Sequence, residues 1–134
     1  QPQKGEKILD VGTGSWRTTA LLAYIVWPQW LVIGTEIDLE LVHMTAKNIQ
    51  KYHFTNTTVF HTPETLGFRA WAPYDKILVS AAVQYLPDGL LAQLKVGGTM
   101  VIPIWDAIWR VKKVSPHVVT HDVFEWFAFV PLVY

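Results

Sequence analysis

The chain of 134 residues is long enough for one domain with its own core and too short for two. It is 51% hydrophobic and 16% charged, which excludes a disordered chain. Eleven basic residues cancel eleven acidic ones, so nothing points to nucleic acid or an anionic membrane surface, and the absence of cysteine excludes disulfides and thiol catalysis.

In chain order, Gln1 to Glu6 is polar and expected to fray, and Lys7 to Val11 reads as a buried strand. Ser15 to Val26 has helical spacing through Ala20, Leu21, Ala23 and Tyr24 and is broken by Pro28; its apolar run is far too short to cross a bilayer. Leu31 to Thr35 is a second apolar strand ending in Glu36. Asp38 is placed to cap a helix whose stripe is Leu41, Val42, Met44, Ile49 and Tyr52. Thr57 to His61 is a third strand, and Thr62 to Tyr74 a loop punctuated by Pro63, Gly67 and Pro73. Lys76 to Ser80 is a fourth strand, Pro87 to Leu94 a short helix, and Gly97-Gly98 a turn into a fifth strand, Thr99 to Ile104. Trp109 to Val114 and Val118 to Val130 are β-branched and aromatic, and read as further strands, partly antiparallel.

Strands and helices in alternation predict one α/β domain over residues 1–134, with a mainly parallel, doubly wound sheet and helices on both faces. Ligands of such sheets bind outside the carboxyl ends of the strands, where strand order reverses. That edge collects Gly12 to Arg17, Thr35 to Asp38, His61 to Thr65, Ser80 to Tyr85 and Pro103 to Ala107.

Gly12-Thr13-Gly14 after a strand has the form of a nucleotide-binding turn. Glu36, ending the second strand, is suited to accept both hydroxyls of an adenosine ribose. Asp10 lies beside the turn, where it either orients the backbone or faces the positive end of a ligand; a structural role is equally open. Trp16 stands where a small residue belongs. It fills the pocket, stacks on a different ligand, or lies outward. Glu64, with His61 nearby, is a loop acid that can serve as a base, although a solvated carboxylate is the plainer reading. His117 and His121 are four apart in a strand-like segment and share no helical face, so no metal is expected.

The stretches LDVGTGS, IGTEIDLELV, TLGFRAWAPYDKILVSAA, LPDGLLAQLKVGGTMVIPI and FEWFAFVPLV together resemble the protein-L-isoaspartate O-methyltransferase family. The resemblance implies a Rossmann-like, cytoplasmic enzyme that uses S-adenosylmethionine to methylate isoaspartyl carboxylates in damaged proteins. By motif position, Asp10, Gly12 and Gly14 would cradle the cofactor and Glu36 would hold its ribose. Departures from the family's pattern lie at Trp16-Arg17, Thr62-Pro63-Glu64, Val83-Gln84 and Ile104-Trp105-Asp106, and at Trp27 and Trp30 on the opposite end of the sheet. The family's segment before the first strand is also missing.

These departures favour a trimmed, engineered scaffold that no longer methylates. It would bind a partner protein, a ligand or a second copy through Trp16, Arg17, Trp27, Trp30, Glu64, Trp105 and Trp109. S-adenosylmethionine would then bind weakly or not at all, because Trp16 crowds the glycine turn. In a catalytic variant of this reading Glu64 or Asp106 acts as base. The alternative is an isoaspartyl methyltransferase domain of the ordinary kind, without its N-terminal segment.

Overall fold

The computed structural model describes residues 2–27 and 29–133; Gln1, Pro28 and Tyr134, and with them the helix break read at Pro28, lie outside the described residues. The elements run β1 (Ile8–Val11), α1 (Arg17–Val26), β2 (Val32–Glu36), α2 (Leu39–Lys51), β3 (Thr57–His61), a 3-10 turn (Arg69–Trp71), β4 (Tyr74–Val79), α3 (Asp88–Gln93), β5 (Leu94–Ile104), β6 (Ala107–Ser115) and β7 (Val118–Phe124). They build one sheet in the order β3-β2-β1-β4-β5-β6-β7. Strands β1 to β5 are parallel, and β6 and β7 return antiparallel to the edge. The predicted architecture is the observed one.

All four residues of β1 are buried because β2 and β4 flank it and both faces are covered. A strand in that position reads as a continuous apolar run, without alternation. Ile8, Val32 and Leu78 pack under Leu22, Ala23 and Val26 of α1. Leu9, Ile33, Ile77 and Met100 form the opposite layer with Leu90 of α3 and Leu94. The chain runs outward from β1 to β3 and then returns to β4 on β1's other side, so the strand order reverses between β1 and β4.

Several boundaries differ from the sequence reading. Helix α1 begins at Arg17, because Trp16 adopts φ 70°, ψ −16° and stands outside the helix as its N-cap. On α2 the packed residues are Val42, Thr45 and Ile49, while Met44 and Tyr52 face outward. Gly97-Gly98 is not a turn before β5; the strand runs through it from Leu94, and pairing with β4 shifts register there. Gly98 permits this, since a Cβ on it would come within 2.8 Å of the Asp75 and Lys95 carbonyls. Strand β7 stops at Phe124, and residues 125–133 cross the carboxyl end of the sheet as irregular chain.

One buried amide ties the loop before β4 to α3. Gln93 accepts from Phe68 N at 2.8 Å and donates to Leu66 O at 3.0 Å and Gly89 O at 2.8 Å. Each buried group left without its partner costs about 1–3 kcal/mol. Gln93→Leu, which keeps the volume and strands these groups, should therefore lose about 2–4 kcal/mol of stability in denaturant titration. A loss within experimental error would show that water replaces the amide.

Candidate active site

At the point where strand order reverses, the turn after β1 is stitched to β2. Gly12 N and Thr13 N both donate to Thr35 O, at 2.8 and 3.2 Å. Gly12 (φ 78°) and Gly14 (φ 49°) take left-handed conformations that favour glycine, and a Cβ at either would meet nothing nearer than 4.0 Å. The space above the turn is therefore open. It forms part of a cavity of about 370 Å³, within the usual range for small-molecule sites. Gly12, Thr13, Gly14, Glu36, Thr62, Thr65 and Ser80 line it, and Val130 to Leu132 form its far wall.

Glu36 is buried, and backbone amides occupy both of its oxygens. Oε2 accepts from Gly14 N at 2.9 Å, and Oε1 from Ile37 N at 2.8 Å and Asp38 N at 3.2 Å. Asp38 in turn caps α2, its Oδ1 accepting from Glu40 N at 2.8 Å and Leu41 N at 3.2 Å, as its side chain predicts. Asp10 is fully buried and accepts from Thr19 Oγ1 at 2.6 Å, with Ser80 Oγ at 3.5 Å from its other oxygen. Burial raises its pKa from 3.8 to about 6, outweighing the two hydroxyls, which act in the opposite direction; the nearby Glu36 charge adds to the rise.

Trp16 does not plug this cavity. Its ring stacks on Tyr52 at 5.1 Å between centroids and 22° between planes, outside the lining. The left-handed backbone costs about 1–2 kcal/mol and the aromatic pair returns about 0.5–1.5 kcal/mol, so the stack nearly offsets the strain. The basis for expecting a crowded glycine turn is thereby removed.

The remaining candidates are scattered. Arg17 is exposed at the start of α1, and Glu64 is exposed in its loop while its neighbours Thr62 and Thr65 face the cavity. Trp27 meets Phe54 edge-on at 6.3 Å, and the Trp30 carbonyl accepts from Asn56 Nδ2 at 3.0 Å; both precede β2, at the amino end of the sheet. Trp109 stacks on His121 at 4.4 Å and packs against the core, so it is not a free contact residue. Trp105 is 66% exposed at the carboxyl end, in the turn between β5 and β6. Of these candidates, exposed Trp27 and Trp30 thus lie at the end of the sheet opposite to Trp105, and the three form no single patch.

Sequence reasoning missed the far wall of the cavity. Ala82 N donates to Val130 O at 2.8 Å and Leu132 N donates to Ala82 O at 2.7 Å, bridging the last residues to the end of β4. The run Val118 to Val130 reads as strand, and only tertiary pairing shows its last residues to begin a wall. Among the described residues no cluster of three or more acidic or histidine side chains is placed to hold a metal, and no helix is long and apolar enough to cross a membrane.

The buried acid makes a testable contribution to pH dependence. Because its folded pKa lies above the unfolded 3.8, the native state holds the Asp10 proton more tightly. The resulting stability is complete below about pH 4 and is lost as pH rises through about 6, a change of about 3 kcal/mol. Relative to Asp10→Asn, the unaltered protein should lose up to that amount between pH 4 and 7 in denaturant titrations. Parallel profiles for the two proteins would contradict this account of Asp10.

Comparison with known proteins agrees with the geometry. The sequence profile of the protein-L-isoaspartate(D-aspartate) O-methyltransferase family matches residues 1–134. A protein-L-isoaspartate O-methyltransferase of Ignicoccus hospitalis is 36% identical over 98% of this chain and 64% of its own length. One of Methanopyrus kandleri is 37% identical over 98% of this chain and 61% of its own. The chain therefore spans somewhat under two thirds of these relatives. A solved protein-L-isoaspartate O-methyltransferase superposes with TM-score 0.92 at 22% identity, over 99% of this chain and 44% of that one. A crystal structure from Plasmodium falciparum under the same family name, in complex with S-adenosyl-L-homocysteine, superposes with TM-score 0.84 at 23% identity, over 98% and 67%. None of these findings supports an engineered scaffold acting by binding alone, and that reading is withdrawn. The chain belongs to the protein-L-isoaspartate O-methyltransferase family.

Proposed function

We propose that the chain carries the cofactor site and reaction centre of an S-adenosylmethionine-dependent methyltransferase acting on isoaspartyl carboxylates, and so takes part in protein repair. The observation that carries this reading is Glu36, buried at the end of β2 and bonded to the glycine turn, beside an open cavity where strand order reverses.

The residues present fit such a cofactor. The left-handed glycines leave the floor of the cavity open, and a carboxylate stands at its side. A carboxylate has about four acceptor sites, and backbone amides take three of those on Glu36. One ribose hydroxyl can be accepted directly; gripping both requires releasing one amide. Thr62 and Thr65 supply hydroxyls on the β3 side, where relatives are expected to carry an acid.

When bound, S-adenosylmethionine supplies an electrophilic methyl that a carboxylate oxygen accepts, the electron pair of the carbon–sulfur bond remaining on sulfur. The chain's contribution is to position and to exclude water. Val130 to Leu132 and the end of β4 close the side of the cavity facing the rest of the carboxyl edge. An isoaspartyl carboxylate is already ionised at neutral pH, so no general base is required. Glu64, exposed and outside the lining, has no such task.

Incubation with methyl-labelled S-adenosylmethionine and a pair of peptides, one isoaspartyl and its aspartyl twin, tests the proposal. Base-labile label should enter the isoaspartyl peptide and not its twin. Cofactor binding with no label in either peptide would reject methyl transfer, and equal labelling of both would reject the substrate assignment.

A further inference from the structure

Beyond the cofactor cavity, the carboxyl edge carries a second groove of about 650 Å³ that the methyl-transfer reading does not use. Pro131 lines both spaces, so the irregular C-terminal segment is the partition between them. The groove's other walls are Val83 and Gln84 after β4, Phe129, and the turn residues Trp105 and Asp106.

Two features set the chemistry of this groove. Trp105 is 66% exposed, and its backbone is anchored at the groove, with Trp105 N donating to Val83 O at 3.1 Å. Asp106 is the only charged side chain in the lining among the described residues, and its carbonyl accepts from Phe127 N at 2.9 Å, which fixes the turn against the C-terminal segment. An aromatic face beside a lone carboxylate suits a cation on a long apolar stem. Such a stem would lie along Phe129 and Pro131, with its head over the indole and against the carboxylate. Arginine fits this arrangement better than lysine, because its planar guanidinium stacks on indole and pairs with carboxylate in one pose. The same carboxylate repels an acidic side chain, and the isoaspartyl carboxylate itself is unsuited to the groove.

Resting on the methyltransferase reading above, we propose that this groove is a specificity subsite for the residue adjoining the isoaspartate, and that Trp105 and Asp106 select a basic side chain there, arginine above all. Trp105 and Asp106 are specificity residues and take no part in the chemistry. The Ile104-Trp105-Asp106 departure from the family's glycine-containing turn is then a change of substrate preference.

The test is a set of dye-labelled isoaspartyl peptides carrying Arg, Ala or Glu immediately before or immediately after the isoaspartate, together with their aspartyl twins. Dissociation constants are measured by fluorescence anisotropy with S-adenosyl-L-homocysteine present. For one of the two positions the Arg peptide should bind about fivefold to tenfold tighter than the Ala peptide, with the Glu peptide weakest. The ratio of Arg to Glu should fall towards unity in Asp106→Asn. It should shrink in Trp105→Gly also, a substitution that the local φ of 55° accepts. Isoaspartyl peptides that bind better than their twins but regardless of neighbour would overturn the subsite and leave the methyltransferase reading intact. So would a preference that persists unchanged in both variants. If no isoaspartyl peptide is preferred over its twin, the substrate assignment fails and the subsite fails with it.

Discussion

The carboxyl end of the sheet is organised around one buried carboxylate. Glu36 holds the amide of Gly14 on one oxygen and those of Ile37 and Asp38 on the other, so the turn after β1 and the start of α2 share a single anchor. Its own carbonyl accepts from Thr62 N at 2.9 Å, which brings the β3 loop to the same point. Hydrogen bonds to a charged group are worth about 1.5–3 kcal/mol each, and burial makes an unpaired one costly. The arrangement is stable because all three amides are fixed by strand ends or a helix start. The same fixed amides hold the carboxylate in place beside the cavity.

Most of this was legible in the residues because local and tertiary demands agree. The apolar run Ile8 to Val11 contains one acid, and that acid is buried because Thr19 and Ser80 meet it. Asp38 caps α2 by the short-range geometry its side chain allows, with no help from the rest of the fold. Glu36 was readable from its place at the end of an apolar strand one crossover after a glycine turn. What failed was the inference from volume at Trp16. An indole in a turn that usually holds glycine suggests a filled pocket, but a left-handed φ directs its side chain away, and Tyr52 is there to receive it. Trp109 misled for a related reason: on a half-buried strand its face is taken by His121 and the core.

The C-terminal wall was the least legible part. Residues after Phe124 carry strand-like composition, yet Trp126 takes φ 74° and the chain leaves the sheet. At Pro131 it bridges back to Ala82 at the end of β4, and there it separates the cavity above the glycine turn from the Trp105 groove. No local pattern specifies a contact between residues 82 and 131. The division of the carboxyl edge into two spaces is thus a tertiary fact, and it gives the altered turn at Trp105-Asp106 a place beside the proposed reaction centre.

If Glu36 holds an adenosine cofactor in the cavity above the glycine turn, removing its carboxylate must weaken cofactor binding. Calorimetric titration of S-adenosyl-L-homocysteine into the unaltered protein and into Glu36→Ala tests it directly. Saturable one-to-one binding is predicted for the first. Loss of the charged acceptor should weaken it about 10-fold to 100-fold in the variant, the equivalent of one charge-assisted hydrogen bond. Equal affinity in the two proteins, or no saturable binding in the unaltered one, would contradict the account.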